Sequence, residues 1–365
     1  MRVLVVNAGS SSLKLRVLEA DDRIAGTADL PAPRGHADEA AVAPALVSFG
    51  PVDAVGHRIV HGGRVYSAPV RIDATVRARL EALTDLAPLH QPKSLAALDV
   101  VSRAIPDVPA VACFDTAFHA RIPPEAATYA LPAEWRERWD LRRYGFHGLS
   151  HAYASRHAAQ LVGKQVEDLR IVTCHLGAGA SLAAVRGGYS IDTTMGFTPL
   201  EGLVMATRSG SVDPGLVLWL EEHVGLPPAE LAAALEHRSG LLGLTGTADM
   251  RAILQRGDAG DEAASTAMGV YLHRLRGEIA RMTAAMDGLD VLVFTGGVGE
   301  NSPDIRERTA AGLGFLGVEV DADSNRSGTG DRDISGRRAH VATLVIAARE
   351  DLQIAHEVRD LLGDR

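Results

Sequence analysis

Val3-Leu-Val-Val-Asn7-Ala-Gly9-Ser-Ser-Ser12-Leu-Lys14-Leu-Arg-Val17 decides the fold once it is set beside Ile171-Val-Thr-Cys-His175-Leu-Gly177-Ala-Gly179-Ala-Ser181-Leu-Ala-Ala-Val185. Each stretch is an apolar, β-branched run, a polar residue, a turn built from Gly, Ala and Ser, and a second strand-like run. That order describes a β-hairpin whose turn is small and rich in backbone N–H groups. One such hairpin says little, because Gly/Ser turns are common. Two, each placed to open a domain, imply a duplicated fold with a cleft between its halves.

Outward from the hairpins, strands and helices alternate. Val3–Val6, Ala54–Val60, Val108–Cys113, Ile171–Cys174, Val291–Thr295 and Val341–Ala347 read as strands. Within Ala264–Met286 the residues Met268, Leu272, Leu275, Ile279, Met282 and Met286 recur at spacings of three and four, which puts them on one helical face. Such a stripe is a core face. Ser150 is placed to cap a helix over His151–Leu161. The alternation predicts the α/β class, and 365 residues suit two domains better than one core. Pro31–Glu39 and Asp321–Arg338 are polar and contain Gly, and read as surface connections.

A net charge of −9 argues against a general nucleic-acid binder, because a polyphosphate backbone rewards excess Lys and Arg. An anionic substrate must then be met by locally placed Arg, Lys and backbone N–H groups. The two cysteines, Cys113 and Cys174, lie in strand-like runs and read as small buried apolar residues rather than metal ligands. The chain opens on a strand without a basic leader and apolar stretch, and no run is long enough to span a membrane. A cytoplasmic protein with no membrane partner is expected.

Three Gly-rich turns follow strands. At Asn7–Ser12, Gly9 lets a phosphate approach the backbone, Ser10 and Ser12 add hydroxyls, and Lys14 projects to the same side as Ser12. Alone, this segment reads as a plain hairpin turn. Gly177 and Gly179 repeat the arrangement, and Gly296-Gly297-Val-Gly-Glu-Asn301 leads into Ser302-Pro303, a helix start. Neither the dinucleotide fingerprint nor the P-loop is present. Together the three turns point to a nucleotide. An ordinary structural role accounts for each Arg or His of the charged segments taken singly.

Read jointly and in order, Asn7-Ala-Gly-Ser-Ser-Ser12, His57-Arg-Ile-Val-His-Gly-Gly63, Arg143-Tyr-Gly-Phe-His-Gly148, Gly196-Phe-Thr-Pro-Leu-Glu-Gly202, Thr207-Arg-Ser-Gly210 and Gly297-Val-Gly-Glu-Asn301 resemble the acetate kinase family over almost the whole chain. The resemblance implies two ribonuclease-H-like domains of the actin-like ATPase type. The first would span 1–118 plus 353–365, and the second, nucleotide-binding, 119–352. It further implies a homodimer and Mg²⁺-dependent, reversible in-line transfer from ATP to acetate, giving ADP and acetyl phosphate.

Roles follow by motif. Arg58 and Arg208 would grip acetate and the moving phosphoryl group, His147 would hydrogen-bond that group, and Asp115 is the expected acidic catalytic residue. Glu350 would position Mg²⁺, with Asn7 near the metal and phosphates. Val60, Leu89, Phe146 and Pro199 would enclose the acetate methyl, with His90 beside them. His175 matches an active-site histidine, while Asp249, Arg251, Gly297 and Asn301 match nucleotide-side motifs. The chain departs from the family pattern at three places: Ala178 replaces Asn, Ser211 replaces Asp, and Ala348-Arg349 replaces Thr-Asn/Asp. The rivals are a propionate or butyrate kinase and a nucleotide-binding regulator with weakened turnover. An ATPase or polyphosphate hydrolase would leave the carboxylate-side motifs without a purpose.

Overall fold

The structure, a computed structural model, describes residues 1–9, 12–32, 39–87 and 90–363. The chain divides into two compact units. Unit 1 comprises Met1–Ala120, Phe146–Tyr153 and Arg349–Arg365, and unit 2 comprises Arg121–Gly145 and Ala154–Ala348.

Unit 1 is built on strands β1 (Val3–Ala8), β2 (Ser12–Leu18), β3 (Ile24–Pro31), β4 (Ala54–Ile59), β5 (Val70–Arg71) and β6 (Ala110–Phe114). Their order is β3-β2-β1-β4-β6-β5. β1, β2 and β3 form an antiparallel meander in which Asn7 lies opposite Lys14. β4 pairs parallel with β1, and β6 parallel with β4. Val3–Val6 are buried throughout, whereas β2 buries Leu13, Leu15 and Val17 and turns Lys14 outward. Helix Gln91–Ala104 covers one sheet face, with Ala97 and Val101 packed among Leu4, Val6, Val55 and Val42. Helix Glu350–Leu362 packs against β4, where Gly56 is required: a Cβ there would stand 2.4 Å from Ile354 Cγ2.

Unit 2 repeats the plan with β7 (Arg170–Leu176), β8 (Ala180–Arg186), β9 (Tyr189–Thr193), β10 (Val291–Thr295), β11 (Arg332–Asp333) and β12 (Ala342–Val345). The order is β11-β12-β10-β7-β8-β9, again a meander followed by parallel strands. The two hairpins read from the sequence are therefore β1–β2 and β7–β8, each at the centre of its own sheet, and the fold is a duplicated α/β unit. Helix Glu262–Ala285 buries Met268, Leu275, Ile279 and Met282 as its stripe requires, with Leu272 half-buried. Asp261 caps it, accepting from the Ala264 amide at 3.0 Å. Cys113 and Cys174 are unpaired and fully buried, and burial raises the pKa of both thiols.

Three local readings are corrected. The helix expected to start at Ser150 starts at Gly148, so Ser150 is buried inside its first turn rather than capping it. The Gly296–Asn301 segment is not a loop but a short helix entered directly from β10, because Gly296 adopts φ 78°. Asp321–Arg338 carries a short helix, Ala322–Arg326, and strand β11; the Asp321 carboxylate caps that helix by accepting from the Ser324 amide at 2.8 Å. Among the described residues no helix is long and apolar enough to cross a membrane.

Candidate active site

In unit 1 the parallel strands bring three sequence-distant side chains to one edge of the sheet. Asn7 lies near the end of β1, Arg58 near the end of β4 and Asp115 just past β6, and the β1–β4–β6 register makes them neighbours. Arg58 Nε donates to Asp115 Oδ1 at 3.0 Å and Nη2 to Oδ2 at 2.6 Å, a two-pronged pair. Its Nη1 donates to Asn7 Oδ1 at 3.1 Å. Asn7 Nδ2 donates to Glu350 Oε2 at 3.1 Å, and that oxygen lies 3.6 Å from Arg58 Nε. Glu350 opens helix Glu350–Leu362.

Burial works against the Arg58 charge, but Asp115 and Glu350 outweigh it and hold the guanidinium protonated above its usual range. Burial pushes the Asp115 carboxyl upward, Arg58 pulls it down, and nearby Glu350 adds to the rise. Arg58 grips both carboxylate oxygens and so opposes the effect of burial.

His147 reaches this cluster through the backbone. The Gly148 amide donates to the Asp115 carbonyl at 2.8 Å, which fastens the His147 turn to the end of β6. His147 itself adopts φ 56°, a left-handed conformation rare for a residue with a Cβ. Phe146 is buried and meets the His61 ring edge-on at 5.7 Å, beside buried Val60. His90 precedes helix Gln91–Ala104 and is half-buried. Ser12 and Lys14 sit on β2, Lys14 exposed. Ser10 and Leu89 lie outside the described residues.

Unit 2 carries a cavity of about 420 Å³. Gly177, Ala178, Asp249, Arg251, Gly297 and Asn301 line it, so both hairpin-turn and nucleotide-motif residues meet at one place. The Gly177 amide donates to Gly179 O at 3.0 Å and closes the β7–β8 turn. Asp249 caps helix Met250–Asp258 by accepting from the Arg251 amide at 2.9 Å. Asn301 Nδ2 donates to Gly297 O at 2.9 Å, which fixes the amide at the rim. The apolar wall comes from Leu241, Met250 and Tyr271, which the sequence reading missed. Tyr271 offered no signal, because it sits beside the core stripe of its helix. A cavity of this size with an apolar wall and a few fixed polar groups suits a small organic ligand.

His175 lies one residue before the end of β7, opposite Ser181, and does not line that cavity. Arg208 Nη1 donates to Pro199 O at 3.2 Å; burial pulls its pKa down, with Glu236 opposing. Two of the three departures have structural readings. The Ser211 hydroxyl accepts from the Gly202 amide at 3.0 Å, so an acceptor remains where the family pattern has Asp. The Ala348 amide donates to Glu300 Oε1 at 3.0 Å, while Arg349 pairs with Asp351 at 3.0 Å. Ala178 itself contributes no side-chain amide to the cavity wall.

Comparison with known proteins agrees with this arrangement. The model of the Acetokinase family matches residues 42–356. An acetate kinase of Clavibacter michiganensis is 45% identical over 97% of this chain and 98% of its own. One of Streptomyces griseus is 43% identical over 100% and 97%. The crystal structure of Porphyromonas gingivalis acetate kinase superposes with a TM-score of 0.90 at 36% identity, covering 99% of both chains. A propionate kinase from Francisella tularensis gives 0.90 at 35%, covering 98% of both. With the paired hairpin sheets, the ordered motifs and relatives matched end to end, the chain belongs to the acetokinase family.

Proposed function

We propose that the chain is an acetate kinase, moving a phosphoryl group reversibly between ATP and acetate by direct in-line transfer. The observation that carries this reading is the Arg58–Asp115–Asn7–Glu350 network, which holds one guanidinium fork and two carboxylates at the strand ends of unit 1. Acetate is ionised at neutral pH, so the nucleophile needs no strong base. What the reaction needs is positioning and neutralisation of charge on the transferring oxygens. Arg58 and Arg208 supply forked donors for those oxygens, and His147 adds a hydrogen bond. By the family resemblance, Val60, Leu89, Phe146 and Pro199 would enclose the methyl group, with His90 beside them.

The nucleotide lies in the unit 2 cavity, its phosphates near the Gly177–Gly179 turn and its nucleoside near Gly297 and Asn301. That assignment makes 119–352 the nucleotide-binding domain. Among the described residues no group of three or more His, Cys, Asp and Glu could hold a metal ion. Asn7, Asp115 and Glu350 nonetheless present hard oxygen atoms in one cluster. This suits Mg²⁺, which takes one or two carboxylates and completes its shell with phosphate oxygens and water. When bound, the ion would neutralise phosphate charge, with Glu350 and Asn7 as its nearest protein groups.

The protein acts as a homodimer in the cytoplasm. Leu216, Leu218, Trp219 and Val224 form an exposed apolar run on unit 2, the kind of surface an assembly covers. Two buried, unpaired thiols suit a reducing compartment. The Francisella tularensis relative supports propionate as a second acceptor, and one methylene in an apolar pocket is worth only about 1–3 kcal/mol. Acetyl hydroxamate formation with ATP, Mg²⁺ and acetate, propionate or butyrate tests the proposal. Highest kcat/KM with acetate is expected; no turnover with any acid would leave only nucleotide binding.

A further inference from the structure

The Gly196–Gly202 segment, which carries Pro199, is held in place by side chains that no role above uses. An isolated bridge between Thr128 and Arg142, with the Arg143 amide donating to Ala127 O at 2.8 Å, sets Tyr129 and Arg143 side by side. The Arg143 guanidinium lies 5.6 Å over the Tyr129 ring. Both then seize Glu201: Tyr129 Oη donates to Oε2 at 2.5 Å, and Arg143 Nη2 donates to Oε1 at 2.6 Å.

The same two residues also hold the segment's backbone. Tyr129 Oη accepts from the Phe197 amide at 2.9 Å. Arg143 Nη1 donates to Thr194 O at 3.2 Å and Met195 O at 3.0 Å. Gly196 sits inside this knot, where a Cβ would fall on Glu201 Oε2 and Tyr129 Oη. Burial, assisted by Glu201, raises the Tyr129 phenol, so it remains a donor. Downstream, the Pro199 carbonyl accepts from Arg208 Nη1 at 3.2 Å. The chain of contacts therefore runs from Tyr129 and Arg143, through Glu201 and the segment's backbone, to the Arg208 fork.

We propose that Tyr129, Arg143 and Glu201 are positioning residues that set where Pro199 and Arg208 stand, and thereby set acceptor affinity and acyl selectivity. This rests on the acyl-site reading of Pro199 and Arg208 given above. A plain structural brace would affect every step alike. A positioning clamp acts through Pro199 and Arg208, so it raises the acetate KM, shifts acid preference and lowers kcat while the ATP KM stays near wild type, because the cavity assigned to the nucleotide has none of these residues in its wall.

The test is steady-state kinetics of Tyr129→Phe, Glu201→Gln and Glu201→Ala on the full-length protein, with thermal melts. The expected result is a fall of about 10- to 100-fold in kcat/KM for acetate, as displacements of an ångström produce. A raised acetate KM, a changed propionate-to-acetate ratio and an ATP KM near wild type should accompany it. Glu201→Gln keeps the shape and one acceptor, and should fall between wild type and Glu201→Ala. Unchanged acetate KM and acid ratio would overturn the clamp, as would losses shared equally by acetate and ATP that track a lowered melting point. Pro199→Ala and Arg208→Ala separate the two layers. If they impair acetate use while the clamp variants do not, the clamp alone is wrong. If they too leave acetate kinetics intact, the acyl-site reading falls, and the clamp with it.

Discussion

Gly148 and Asp115 touch through their backbones: the Gly148 amide donates to the Asp115 carbonyl at 2.8 Å, and a Cβ at Gly148 would stand 2.3 Å from that same oxygen. The other obstacle is Phe118 Cβ at 2.9 Å, so no flexible side-chain end can swing aside. Gly148→Ala must push the His147 turn away from Asp115. The expected cost is about 1–3 kcal/mol, typical of overpacking, together with a loss of kcat, because His147 moves with the turn. Thermal melts and turnover measured on the same preparation check this. A wild-type melting point would show that the backbone contact is dispensable.

Arg58→Ala and Arg208→Ala should both abolish most turnover, and Arg58→Ala should also cost stability. Removing Arg58 strands the Asp115 carboxylate, which is only 2% exposed, and breaking a buried pair from one side costs roughly 3–5 kcal/mol. Adding Asp115→Asn should restore part of that stability without restoring turnover. Arg→Lys at either site should rescue only partly, since an ammonium cannot make two parallel hydrogen bonds. Near-normal turnover of either alanine variant would remove that arginine from the mechanism.

His57 should give the fold a pH dependence. Its ring is buried beside a cavity of about 360 Å³ in unit 1, remote from Arg58's own side of the strand, and burial pulls its pKa from 6.5 to about 4, with Asp99 opposing. Between those values the unfolded chain binds the proton and the folded chain does not, so stability rises with pH. The contribution is complete above the ordinary 6.5 and is lost as pH falls toward 4, amounting to roughly 3 kcal/mol at most. His57→Gln cannot titrate. Denaturant melts from pH 7 to pH 4.5 should show the wild type losing more stability than the variant. Parallel curves would mean that His57 does not stay neutral in the fold.

Ala178 lines the unit 2 cavity where the family pattern has Asn. If a side-chain amide is useful there, Ala178→Asn should tighten ATP, with a KM lower by several fold and acetate KM unchanged. One hydrogen bond contributes about 1 kcal/mol, or roughly fivefold. A clear loss of activity would show that the cavity has been reshaped around alanine.

The sequence by itself determined the class and the duplication, because these rest on local chemistry. β-branched runs prefer strands, Gly and Ser permit tight turns, and the stripe from Met268 to Met282 repeats with the helical period. Ser150 shows where local chemistry misleads: it is a good capping residue, but the Gly148–Asp115 contact starts the helix two residues earlier. At Gly296–Asn301 the glycines suggested a loop, whereas packing turned them into helix; a Cβ on Gly296 would stand 2.9 Å from Leu176 O. Only the tertiary structure decided which charges meet. Arg58 and Asp115 are 57 residues apart, Asn7 and Glu350 343, Tyr129 and Glu201 72. Sheet register and loop packing create such pairings, and neither has a local period that a linear reading can detect.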